Sequence, residues 1–148
     1  MYSTILVPLD GSKRAEKILK HVEALAHCFR SKVIFLQVVR APRITGIEKS
    51  DIVLFGQETE KRIKDAESYL TALKGEFLGK GIESQVRVVH GPVVRAIINS
   101  AEREGADLIA ITSHGRSGLS RVYYGSVAAG ILNHVDKPLL ITRTRDDK

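Results

Sequence analysis

Residues 3–12 read STILVPLDGS. The apolar run 3–9 is short, has no three-and-four spacing, and closes on the turn-forming Asp10-Gly11-Ser12, so it reads as a buried strand. Immediately beyond it, Ala15, Ile18, Leu19, Val22, Leu25, Ala26 and Phe29 fall on one face at helical spacing, which predicts a helix over 13–30. Ser12 stands just ahead of that helix, placed to accept a hydrogen bond from an unpaired first-turn amide.

The same alternation repeats along the chain. Residues 32–39, KVIFLQVV, form a second compact run rich in β-branched residues and read as strand two. The connection 40–56 holds Pro42, Gly46 and the cluster Ile52, Val53, Leu54 and Phe55, and its state is left unassigned. From Gln57 helical spacing returns through Ile63, Ala66, Leu70, Leu73 and Phe77, ending at Gly79 and Gly81. Strand three is expected at 82–89, followed past His90-Gly91-Pro92 by a helix carrying Val94, Ile97, Ile98 and Ala101 that closes near Gly105. DLIAIT at 107–112 reads as strand four, 126–135 as helix four and 138–142 as strand five. Nearly all-apolar strands require cover on both faces, so the expected fold is α/β: a single doubly wound five-stranded parallel sheet with helices on both faces, Rossmann-like. In such sheets ligands bind beyond the carboxyl ends of the strands, where strand order reverses.

The bulk numbers agree with one domain spanning 1–148. With 43% hydrophobic and 27% charged residues and only four prolines, the composition is globular. Met1 leads straight into strand-like sequence without a basic region, an apolar stretch and a cleavage site, so secretion is not expected. No apolar run reaches the roughly 20 residues of a membrane span. The lone Cys28 can form neither an internal disulfide nor a zinc cluster, and a cytoplasmic location is expected. The net charge of +6 is dispersed among acidic residues, as in Glu60-Lys61-Arg62, which argues against a nucleic-acid partner.

The chemistry concentrates in TSHGRSGLSRVYYGS, residues 112–126, which leaves strand four, passes Gly115 and Gly118, and enters helix four at Gly125-Ser126. Glycines allow backbone amides to approach an oxyanion, and a helix N-terminus adds unpaired donors, so the segment reads as a phosphate cradle. The plain alternative is that the glycines serve turns and Ser126 caps the helix. Asp10 carries a similar pair of readings, as a ligand contact or as a turn residue. His21, His27, His90 and His134 lack metal-ligand spacing, and His114 lacks an evident catalytic task, so neither a metal site nor a catalytic residue is assigned. Arg116 and Arg121 suit either phosphate or solvent.

The segment resembles the nucleotide-binding signature of the ATP-binding universal stress proteins: glycine, two residues, glycine, nine residues, then glycine and Ser or Thr. Gly115 fills the second glycine, 116–124 the spacer and Gly125-Ser126 the ending, while Thr112 stands where the first glycine belongs. ILVPLDGS near the start and HVDKPLLITR near the end are also similar to that family. The resemblance implies that Pro8, Asp10 and Val38 hold adenosine, Asp10 near the ribose and Val38 beside adenine. It places Ile111, Thr112, His114, Gly115, Gly125, Ser126 and Val127 around ribose and phosphates. It further implies ATP or AMP as ligand, Mg or Mn accompanying the nucleotide, and a homodimer through strand five. Thr112 is expected to crowd the ligand, and Ala128 lacks a hydroxyl that family members often carry. The expected function is a nucleotide-responsive regulatory module and not an enzyme; a dimeric adaptor without nucleotide and a slow ATPase are the alternatives. No G-x-x-x-x-G-K-[ST] motif, kinase motif set or G-x-S-x-G elbow is present.

Overall fold

Strands that are apolar on both faces must be covered on both, and the computed structural model of this chain covers them with two layers of helix. It describes residues 1–40, 49–114 and 125–144, with the side chains of 49–55 and of His114 left aside. The strands are β1 (Thr4–Leu9), β2 (Lys32–Val39), β3 (Ser84–His90), β4 (Leu108–His114) and β5 (Leu139–Thr144). All pair in parallel, in the order β3-β2-β1-β4-β5.

The helices are α1 (Leu19–Phe29), α2 (Lys49–Gly79), α3 (Val93–Arg103) and α4 (Ser126–His134). Ile5, Val7, Val33, Phe35 and Ala110 face α1 and α2, where Phe35 meets Phe77 edge to face at 4.9 Å between ring centroids. Leu6, Ile34, Leu36, Ile109 and Ile111 face α3 and α4. Strand alternation thus sorts successive residues into two cores, as a period of two requires.

Two boundaries differ from those read in the sequence. The helix expected over 13–30 begins as a 3-10 turn, Ala15–Ile18, and becomes α-helical only at Leu19. The unassigned stretch after β2 contributes to α2, which starts at Lys49 and runs for 31 residues.

The sheet is stitched tightly at one end and parted at the other. At the amino end Asp107 accepts from Ser3 N at 2.9 Å and Thr4 N at 3.1 Å, and its own amide donates to Thr4 O at 3.0 Å. Pairing between β1 and β4 then covers only Ile5↔Leu108 and Leu6↔Ile109. Beyond that, β1 continues with β2 as far as Leu9↔Gln37, and β4 continues with β5 as far as His114↔Thr144. The two halves separate where the strand order reverses, the usual position of a ligand crevice.

Candidate functional site

Pro8 accounts for part of that separation. Thr4 turns its carbonyl to β4, and backbone groups alternate along a strand, so the Pro8 nitrogen also faces β4. Proline has no N–H to give, and a ladder bond toward β4 is lost at this position. Its neighbour Leu9 still pairs with Gln37 on the other side.

Asp10 follows directly, and its carboxylate organises the turn. Oδ1 accepts from Ser12 N at 2.9 Å and from Ser12 Oγ at 2.6 Å, and Ser12 Oγ in turn accepts from Ala15 N at 3.1 Å. The capping expected of Ser12 is therefore present, and so is the turn role of Asp10. Among the described residues both of its bonds fall on Oδ1, and the residue is exposed.

Thr112 and its neighbours lie on the facing lip. The Thr112 hydroxyl donates to Ala15 O at 2.9 Å and lies 3.2 Å from Thr142 Oγ1. This side chain is buried on the α1 and α2 side, away from the layer that holds α4. Ile111, buried, and Val38, half-buried, pack on the α3 and α4 side. Ser113 also faces that side by alternation; it is 3% exposed, and its hydroxyl has no hydrogen-bond partner among the described residues. A buried hydroxyl without a partner carries the cost of its lost hydration, which makes Ser113 a site candidate that motif reading passed over. His114 ends β4 opposite Thr144. Gly115 and the rest of 115–124, with Arg116 and Arg121, lie outside the described residues.

On the far side of that segment Gly125 has φ 62° and ψ 150°, a region that is essentially glycine's alone. It occupies the cap position of α4, where no side chain among the described residues caps the helix, so the reading of Ser126 as the cap gives way: Ser126 is the first helical residue. Ala129 N donates to Gly125 O at 3.0 Å, leaving the amides of Ser126, Val127 and Ala128 without intrahelical acceptors. Ser126 is exposed and Val127 half-buried, while the Ala128 methyl is packed into the core beside Ile131. A hydroxyl at 128 would thus enter the packed layer.

Beside the end of β2, a cleft of about 420 Å³ is lined by Gly11, Gln37, Val38, Arg40, Arg62, Asp65 and Tyr69, among others. Tyr69 donates to Glu16 Oε2 at 2.8 Å. Burial, that bond and the negative charges of Glu16 and Asp10 hold its hydroxyl far above the ordinary phenol range.

Comparison with known proteins places this arrangement. A model of the universal stress protein family matches residues 1–143. The universal stress protein MJ0577 of Methanocaldococcus jannaschii is 29% identical over 99% of this chain and 98% of its own length. Its solved structure superposes with a TM-score of 0.82, covering 99% of each chain. A universal stress protein in complex with cAMP, with a TM-score of 0.63 and 22% identity, covers 97% of this chain and 98% of its own. A universal stress protein from Archaeoglobus fulgidus in complex with dAMP shares the fold at a TM-score of 0.60 and 20% identity, over 95% of this chain and 97% of its own.

Proposed function

This chain belongs to the universal stress protein family, and on that premise we propose that it is an adenine-nucleotide-binding regulatory module whose ligand lies across the crevice between β1 and β4. The observation that carries the reading is the start of α4. Three consecutive amides lack intrahelical acceptors, Gly125 takes a backbone conformation open to glycine, which places no side chain in their approach, and among the described residues no side chain is bonded to them. Such a terminus favours an anion through its donors and its dipole.

In this reading the amides of Ser126 and Val127, with the Ser126 hydroxyl, hold the phosphates of ATP or AMP. Adenosine lies over Pro8 and against Val38, and the Oδ2 oxygen of Asp10 accepts from a ribose hydroxyl while Oδ1 keeps the turn. Ile111 and Ser113 line the wall toward α3 and α4. Mg or Mn accompanies the phosphates as the nucleotide's own counter-ion. Binding changes a surface that a partner reads. The described residues present donors for phosphate and, among them, no arrangement that activates water, and in this reading turnover is slow or nil. The cAMP and dAMP carried by two relatives of the same fold support the ligand class. The protein acts in the cytoplasm as a homodimer joined at the β5 edge, whose Leu139–Thr144 backbone pairs with β4 on one side only.

The test is direct. Protein purified without added nucleotide is denatured and the released small molecules are identified by mass spectrometry, and the stripped protein is titrated calorimetrically with ATP and AMP. Co-purified adenine nucleotide, or saturable binding of either one, is expected. Failure of both would leave the dimeric adaptor as the surviving reading.

A further inference from the structure

Thr112 replaces the first glycine of the nucleotide signature, and its surroundings give that replacement a use. A hydroxyl has one proton. Thr112 gives its proton to Ala15 O, so in the 3.2 Å contact with Thr142 it is Thr142 that donates. The bonds then run in series: Thr142 to Thr112, Thr112 to the Ala15 carbonyl, the Ala15 amide to Ser12 Oγ, and the Ser12 hydroxyl to Asp10 Oδ1. Every link beyond Thr112 is local to the turn between β1 and α1. Thr112 supplies the buried link to another part of the sheet, spanning 97 residues of sequence.

We infer that Thr112 is a positioning residue: it clasps the turn carrying Asp10 onto the end of β4 and thereby fixes the carboxylate relative to the start of α4. The inference rests on the nucleotide reading above for its functional consequence. Three features support it. The Thr112 side chain is directed to the α1 and α2 side, so the crowding expected from a β-branched residue does not fall on the layer where α4 begins. Residue 112 is 8% exposed and the bond to Ala15 is buried, so water does not compete with the clasp. The clasped segment is held on its other flank by the Tyr69–Glu16 bond, so the 3-10 turn is tied between β4 and α2. Glycine at 112 would take this buried bond away from the turn.

The experiment compares Thr112→Val, which keeps the shape and removes the hydroxyl, with Thr112→Ser, which keeps the hydroxyl. ATP affinity is measured by calorimetry, amide exchange is followed across 12–18, and thermal unfolding establishes a temperature at which all forms are folded. The Val variant is expected to bind ATP about threefold to tenfold more weakly, the loss of one ordinary hydrogen bond, and to exchange faster across 12–18. The Ser variant is expected to match the parent in both. Equal affinity and equal exchange in Val and Ser variants would overturn the clasp, as would weaker binding in the Val variant with exchange unchanged. If the parent itself binds neither ATP nor AMP, the nucleotide reading and the role of Thr112 in it both fall. Faster exchange confined to the Val variant would then still establish the clasp, and unchanged exchange would remove it.

Discussion

Replacing Gly125 separates the two demands that the start of α4 makes on one residue. At φ 62° and ψ 150° a side chain is strained whatever space surrounds it, and the cost of holding a non-glycine residue in such a region is about 1–3 kcal/mol. Two outcomes can absorb that energy. Either the backbone is held and the protein loses stability, or φ turns negative and the amides of Ser126 and Val127 swing out of line with the phosphates. In the second case affinity falls by about 5-fold to 150-fold, the same energy expressed as a ratio of dissociation constants. Gly125→Ala adds only the strained Cβ, whereas Gly125→Val adds a branched side chain in the approach to the amides, so binding is expected to fall further in Val than in Ala. The two losses share one source of strain. Calorimetric titration with ATP and urea unfolding on both variants give the two parts, and Ser126→Ala, expected to lose about 0.5–1.5 kcal/mol of binding, calibrates a single hydrogen bond. A Gly125→Val protein with parental stability and parental ATP affinity would refute the reasoning at its base.

Other perturbations probe the frame around the site. A Cβ on Gly130 would lie 2.7 Å from Val94 Cγ2, so Gly130→Ala should force α3 and α4 apart and cost about 1–3 kcal/mol in urea unfolding, with Val94→Ala restoring most of it. Phe77 is buried against Phe35, and Phe77→Ala should cost about 3–5 kcal/mol by the same measurement; a loss below about 1 kcal/mol would mean that the far end of α2 is not packed as described. The Tyr69 hydroxyl has its pKa raised in the folded protein, so its contribution is complete below about pH 10 and declines as pH climbs toward the folded value. Alkaline melting curves should show a decline that is shallower in Tyr69→Phe than in the parent, and identical slopes would contradict that assignment.

Much of the architecture is legible in the sequence because the strands are continuous apolar runs closed by turn residues, and two-sided burial follows from their composition. One of the two departures has a nonlocal cause and the other a local one. The 3-10 start at Ala15–Ile18 coincides with the bonds that Ala15 receives from Thr112 and Glu16 receives from Tyr69, partners 97 and 53 residues away. The early start of α2 escaped because Ile52, Val53, Leu54 and Phe55 are consecutive, which hides any helical period. At the site, Ser12 and Asp10 were readable since their partners are adjacent. The parting of β1 from β4 at Pro8, the unsatisfied Ser113 hydroxyl and the inward turn of Thr112 depend on which strand becomes whose neighbour, and no local pattern encodes that.

The placement of β1 at the centre of the sheet also bears on how the chain assembles during synthesis. One edge of β1 is filled by β2, which follows within the first 40 residues, but the other waits for β4, whose stitching residue Asp107 lies 103 residues beyond Thr4. An emerging polypeptide can therefore build the β1–β2–β3 half under α1 and α2 while the inner edge of β1 stays open, a template for pairing with another nascent chain. Having only two register pairs to close at that seam shortens the final docking step, and Pro8, by withholding a donor there, blunts the open edge while the ribosome completes the second half.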